Sequence, residues 1–222
     1  MNYQSMKSKR VRGLFATALV LACAFSAVNY AAAQGVTPPV TPTGITPPEG
    51  NRAFLVGHAQ GTQGYVCLPV GTTAASWTVN NARPEATLFT KFFGQDVQII
   101  THFLSPDTHP KITDPRPLPF ANATWQSSLD SSKVWAAQVN FITAGTDPSC
   151  PHSGSIACLL LQSVGNQVGP TGGKILAGTT YIQRLNTNGG LAPTTGCAVP
   201  TDVGHQALVP YSADYYFFRA ED

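Results

Sequence analysis

What most restricts the fold is a recurrence of short runs rich in β-branched and aromatic residues. Each is stopped by Gly, Pro or Asn, and no sustained helical period lies between them. "AASWTVN", "DVQIITHFL", "KVWAAQVNFITA" and "LAGTTYIQRLN" are such runs, with the side chains that suit a pleated, half-buried surface. The last run alternates most cleanly: Ala207, Val209, Tyr211, Ala213, Tyr215 and Phe217 fall on one face of a strand. Pro210, on the other face, removes a backbone donor and so marks an edge or a bulge. "RAFLVGHAQGTQGYVCLP" reads as a hairpin turning at Gly61-Thr62. "SIACLLLQSV" also fits helical spacing at Ile156, Leu159, Leu160 and Val164, and reads as a short helix or turn. Many short strands without a long helix predict an all-β chain, an antiparallel sandwich or barrel.

The first 33 residues stand outside that domain. Lys7, Lys9, Arg10 and Arg12 precede an apolar run from Leu14 to Val28, and Ala31-Ala32-Ala33 follows. A basic head, a short apolar centre and small residues at the exit make a secretory signal peptide. The run is shorter than the ~20 residues a bilayer-spanning helix needs, so no membrane span is expected. Cys23 offers a lipoprotein-type alternative, which the better-placed alanine triplet outweighs. Residues 34–50, with Pro38, Pro39, Pro42, Pro47 and Pro48, then predict an extended, solvated linker. Residues 51–222 form a single β-domain, long enough to bury a core.

Four of the 13 Lys and Arg lie in the leader, so nine remain against 11 Asp and Glu, and the mature chain is near −2. The basic balance belongs to the leader, and no basic face suggests a nucleic-acid partner. Charged residues make up 11% of the chain, against about 25% usually. Cys67, Cys150, Cys158 and Cys197 remain after the leader. An even number in an exported chain reads as two disulfides, with three connectivities open, and no C-x-x-C pair favours a metal. The expected location is periplasmic or secreted, and no cofactor is expected.

Several residues could carry chemistry, each with a plainer reading beside it. His58 and His102 sit on strands among apolar neighbours, and if those strands pair, the rings approach. They would be ligands only with a third donor from His109, His152, His205 or a carboxylate. Without H-x-H or H-x-x-x-H spacing, structural histidines are the simpler account. No G-x-S-x-G elbow is present, and "HSGS" beside His152 reads as a loop turn. Asp130, Asp202 and Asp214 could supply a pair of carboxylates, although spacing in strands says nothing of their separation. Trp77, Trp125 and Trp135 could stack on sugars, but tryptophan is more often core.

The polar run 183–190 bears most directly on function. Ile182, Arg184 and Asn186 share one strand face, and Tyr181, Gln183 and Leu185 share the other. Arg184 lies in solvent or is held by a carboxylate, Asp214 being the expected partner. Asn-Thr-Asn-Gly-Gly tolerates positive φ, so it reads as the end of a strand. The functional reading makes it the rim of a ligand pocket, drawn from Arg184, Asn186, Asp214, His102 and Asp130.

"YIQRLNTNGGLAP…GC" (181–197), with "GTQGYVC" (61–67), "THFLSP" (101–106), "WQSSLDSSKVW" (125–135) and "VPYSADYYFF" (209–218), resembles the bacterial and fungal family catalogued as domain of unknown function 3455. The resemblance spans residues 47–218. Two features depart from it: the stretch 107–124, where the family pattern runs almost directly to Trp125, and the additional Cys150 and Cys158. It implies a secreted or periplasmic β-domain without an established activity. Some fungal members carry a malate-dehydrogenase label, but this chain has no G-x-G-x-x-G between strand and helix. The family's cysteine positions imply Cys67–Cys197, which leaves Cys150–Cys158.

Two functions therefore stand against each other. The leading one is a non-enzymatic exported β-domain that binds an envelope or extracellular ligand or serves a structural role. The other is a metal-dependent or hydrolytic enzyme using His58, His102 and Asp130. Export itself is directly measurable: N-terminal mass analysis should find Gln34 as the first residue, and a lipidated Cys23 would refute the cleavage after Ala33.

Overall fold

The alternating residues near the C-terminus form part of the inner wall of a closed barrel. A computed structural model describes residues 35–105 and 122–221. The leader with Cys23, His109 and nearly all of the 107–124 stretch lie outside the described residues. Eight strands run in chain order: β1 (Asn51–Val70), β2 (Ala74–Phe92), β3 (Gln95–Ser105), β4 (Asn122–Ser127), β5 (Lys133–Ile142), β6 (Cys158–Gln167), β7 (Thr179–Gly189) and β8 (Gln206–Ala220). Each pairs antiparallel with its neighbours, and β8 returns to β1. Of the two architectures predicted, the chain adopts the barrel.

Inside, Leu88, Ile100, Trp125, Ile182, Tyr215 and Phe217 are buried and pack together. The outward positions of β1 and β8 carry His58, Gln60, Ser212 and Asp214, paired across the strands as His58 with Asp214 and Gln60 with Ser212. Among the described residues, no helix is long and apolar enough to cross a membrane.

Two expectations about local structure are corrected. Residues 51–70 are one strand of 20 residues and not a hairpin. Gly61 does not turn the chain. It pairs with Ala86 of β2, and a Cβ there would overlap the Glu85 carbonyl and Ala86. Glycine in a strand interior marks close approach or a bend at a barrel corner as often as it marks a turn. The turn comes at Gly71, with φ +65°. "SIACLLLQSV" is also extended, and most of it is β6. Leu161 faces the barrel core while Leu160 faces a second cluster outside, so consecutive leucines are both buried. A strand covered on both faces loses its period of two and imitates a helix in sequence.

That second cluster also corrects the linker. Ile45, in a short 3₁₀ turn at Thr43–Ile45, is fully buried against Leu160, Leu185 and the Cys150–Cys158 pair. Gln183 Nε2 donates to the Ile45 carbonyl at 2.7 Å and to Thr41 Oγ1 at 3.2 Å. The proline-rich segment lies as a strap over the outer face of β5 and β6, and it belongs to the same compact unit as the barrel, Val36–Asp222. Pro210 behaves as its chemistry predicts. It pairs with Thr62 on one side, while the β7 register ends at Tyr211, so β8 is a local edge there.

Both disulfides form as the family resemblance implied: Cys67–Cys197 with Cα atoms 5.6 Å apart, and Cys150–Cys158 with 6.1 Å. The first fastens the 190–205 loop to β1, where Cys67 N–H donates to His205 O and Gly204 N–H donates to Cys67 O. It spans 130 residues and the second spans 8. Chain-entropy closure then gives upper limits of about 5 and about 2.6 kcal/mol. Cys197→Ser should therefore lower the thermal midpoint by roughly 10–20 °C, and Cys158→Ser by clearly less. Calorimetry that finds the opposite order would refute the entropic account.

Candidate functional site

The site begins with a bulge. Between Leu185 and Asn188 the β7 register against β8 shifts, and Asn186 takes φ +50°. Asparagine tolerates that left-handed conformation better than most residues. Two contacts hold the bulge. Asn186 N–H donates to Ser149 O at 2.9 Å, and Thr187 is fully buried with its hydroxyl 3.6 and 3.5 Å from the sulfurs of Cys150 and Cys158. Thr187 Oγ1 also donates to Ile156 O. The Cys150–Cys158 disulfide therefore backs the bulge.

The bulge separates two side chains that a regular strand would place together. Arg184 pairs with Tyr215 and points inward, while Asn186 turns outward toward Asp214. The expected Arg184–Asp214 pair is thus corrected. Arg184 Nη2 donates to Ala157 O at 2.8 Å, and its guanidinium lies 6.0 Å from the Tyr211 ring centroid. Asp214 accepts from Asn186 Nδ2 on one oxygen (3.2 Å) and from His58 Nδ1 on the other (2.6 Å). Since a carboxylate accepts, the proton shared there is carried on His58 Nδ1, which leaves Nε2 as the free ring nitrogen.

These residues line a half-open cleft of about 160 Å³ on the outer wall, with Gln60, Phe89, Asp96 and Ser212 around them. The His58 side chain is 57% exposed and that of Asp214 is 19% exposed, so the imidazole faces solvent while the carboxylate is held behind it. Asp96 adds a second carboxylate, ion-paired to Lys91 Nζ at 2.7 Å. No Lys or Arg lines the cleft. It can accept hydrogen bonds from a ligand, donate from two side-chain amides and a hydroxyl, and offer one aromatic wall. Among the described residues, no group of three His, Cys, Asp or Glu converges as a metal site.

The remaining candidates lie elsewhere. His102 and His58 do not meet, because β1 and β3 are separated by β2. His102 is buried inside the barrel, stacked on Trp125 at 4.1 Å and 10°, and its Nδ1–H donates to Thr124 O at 2.8 Å. Burial lowers its pKa to about 4, against the raising effect of the Thr124 hydrogen bond. Asp130 shapes the β4–β5 turn and accepts from Ser132 N–H, Ser132 Oγ and Ile175 N–H. Burial opposes its ionisation, but these bonds outweigh it and hold the carboxyl below its usual range. Asp202 caps the 198–202 turn through Ala198 and Val199 N–H. Gly154 has φ +77°, so "HSGS" is a turn, and Ser155 Oγ accepts from Gly189 N–H. Trp125 and Trp135 are buried, and Trp77 Nε1 donates to Thr195 O.

Sequence reading named His58, Asn186 and Asp214 but missed Gln60, Phe89, Asp96 and Ser212. The signal that finds Gln60 and Ser212 is the β1–β8 register, since both lie two residues from the His58–Asp214 pair on each strand.

A family model described as protein of unknown function (DUF3455) matches residues 47–219. No curated protein and no solved structure matches the chain.

The buried imidazole predicts a pH dependence. The folded pKa of His102, about 4, lies below its ordinary 6.5, so the unfolded chain takes up the proton first. Its contribution is fully present above about pH 6.5 and is lost as pH falls toward 4, on the order of 3 kcal/mol in all. Denaturant unfolding at pH 7, 5.5 and 4.5 should show this slope, and His102→Phe should remove it. An unchanged slope in the variant would refute the assignment.

Proposed function

The chain belongs to the family described as protein of unknown function (DUF3455), and from that premise we propose that it is an exported, non-enzymatic binding barrel. Its ligand site is the cleft of His58, Asp214 and Asn186, and the ligand is an uncharged or cationic group rich in hydroxyls or amides. Export is supported by the leader pattern and by the two disulfides, which persist in oxidising compartments. The single observation that carries the binding reading is the chain Asn186–Asp214–His58. It holds a carboxylate on both oxygens and fixes an imidazole in the lining of the cleft.

The electrostatics select the ligand class. Two carboxylates and no Lys or Arg line the cleft, so a phosphate or carboxylate ligand meets like charge, while hydroxyls, amides and cations find acceptors. About 160 Å³ is less than the ~300–1,000 Å³ of sites that enclose drug-sized ligands. The cleft suits one ring or one side chain of a larger envelope or extracellular molecule. Phe89 supplies the apolar wall such a ring would pack against. An enzyme built on His58, His102 and Asp130 has less support, because these residues lie on the outer wall, in the barrel interior and in the β4–β5 turn.

NMR titration tests the reading, with N-acetylglucosamine trimer and maltotriose as uncharged probes, spermidine as cation and glucuronate as anion. At least one uncharged or cationic probe should shift the His58 ring resonances, and Asp214→Asn should weaken it by roughly tenfold or more. Glucuronate alone shifting them, or no probe doing so, would overturn the proposal. Stoichiometric zinc, copper or iron in protein isolated without chelators, lost in His58→Ala, would overturn its non-enzymatic part.

A further inference from the structure

The lumen of the barrel holds a cation that no carboxylate of the described chain neutralises. Arg184 follows Ile182 on the inward face of β7 and lies beside Tyr215 of β8. Its Nη2 donates to Ala157 O at 2.8 Å, but its Nε is buried without a hydrogen-bond partner. Among the described residues, the ion pairs join His58 with Asp214, Arg83 with Glu85 and Lys91 with Asp96, and none includes Arg184. A guanidinium has five N–H donors and no acceptor, and a charge drawn out of water is ordinarily paired. Its field reaches across the lumen. Burial raises the pKa of Tyr65 and of Tyr211, and the Arg184 charge pulls each back.

Further donors lie in the same space. Trp125 is 1% exposed, and its Nε1, which can only donate, is buried without a partner. The hydroxyls of Tyr211 and Tyr215 are 3.0 Å apart, a pair that uses one hydrogen and leaves the other free to donate. The Trp125 and Tyr215 rings lie 5.9 Å apart, and the Arg184 guanidinium 6.0 Å from the Tyr211 ring, so these groups form one cluster. Solvent reaches it from one end. Leu104, Ala123, Leu159 and Val209 sit two residues beyond the buried His102, Trp125, Leu161 and Tyr211, and each is half-buried, as is Arg184. All four lie toward the end that carries the 143–157 and 190–205 loops.

We propose that this end of the lumen binds a small anion, a carboxylate or an inorganic ion of similar size, held by the Arg184 guanidinium with the Trp125 indole N–H and a tyrosine hydroxyl as further donors. Hydrogen bonds from a guanidinium to an anion are among the stronger kind, and a lumen of low dielectric strengthens them. Burial holds His102 neutral near pH 7, so among the described residues Arg184 alone supplies positive charge to the cluster, which suits a single negative charge. The inference does not rest on the cleft reading. That cleft lies on the outer wall, and its carboxylates select the opposite charge.

NMR titration of the leader-free protein (residues 34–222) tests it, following the Trp125 indole and Arg184 Nε–H signals. Formate, acetate, nitrate and chloride are the probes, exchanged at constant ionic strength against a bulky buffer anion. At least one should shift both signals saturably. Formate and acetate acting alone assign a carboxylate, and nitrate and chloride acting alone assign an inorganic ion. On the Trp125 signal, Arg184→Gln should weaken binding roughly tenfold or more, while Arg184→Lys, which keeps the charge, should lose less. Trp125→Phe keeps a ring on His102 and removes the donor, so on the Arg184 signal binding should weaken severalfold. The anion should also raise the thermal midpoint of the wild-type protein and not that of Arg184→Gln. No saturable shift with any probe, or unchanged binding in both Arg184→Gln and Arg184→Lys, would overturn the proposal.

Discussion

Closure of β8 onto β1 is the constraint on which the other features depend. The two strands pair from Asn51 with Ala220 to Val66 with Gln206, interrupted by one shift near Phe54. A sheet of this size left open would present two edges of unpaired backbone groups, and closure removes them. Because side chains alternate across a strand, one register determines both walls at once. Tyr211, Ala213, Tyr215 and Phe217 face the interior, while Ser212 and Asp214 are left outside opposite Gln60 and His58. A slip of one residue would bury Asp214 and expose Tyr215. Core and cleft are therefore two consequences of the same pairing.

Glycines of β1 let it also pack tightly on its other neighbour, β2. Gly57 and Gly61 of β1 lie against Leu88 and Ala86 of β2, with no room for a Cβ. The opposite wall carries the bulk, where Trp125 and the imidazole stacked on it fill the interior. Burial keeps that imidazole neutral, and its Thr124 hydrogen bond satisfies one ring nitrogen. Outside β6 and β7, the proline-rich strap and Cys150–Cys158 build a second core, so these strands are covered twice. The covering steadies the β7 bulge, and the bulge aims Asn186 at Asp214. The Cys150–Cys158 disulfide is thus linked mechanically to the cleft through Thr187.

Charge is used sparingly, and its placement carries meaning. One carboxylate in the cleft is held by a histidine and an amide, and the other by a lysine at the barrel's end. Asp130 and Asp202 are spent on turns.

Composition and periodicity determined the strand-rich class and the inner face of β8, because these depend on local propensity and on a period of two. The even cysteine count determined two disulfides, and the family resemblance supplied their pairing. The sequence reached His58, Asn186 and Asp214 as separate candidates, but it joined Asp214 to Arg184 and His58 to His102. Only the tertiary structure decided otherwise. Which residues meet across strands depends on register and on the bulge at Asn186, and neither leaves a local signature. Double-sided burial disguised β6 as a helix, and close approach disguised Gly61 as a turn. In both cases the deciding neighbour is distant in the chain, Ile45 for Leu160 and Glu85 for Gly61, so the physical cause lies in contacts that the linear order does not contain.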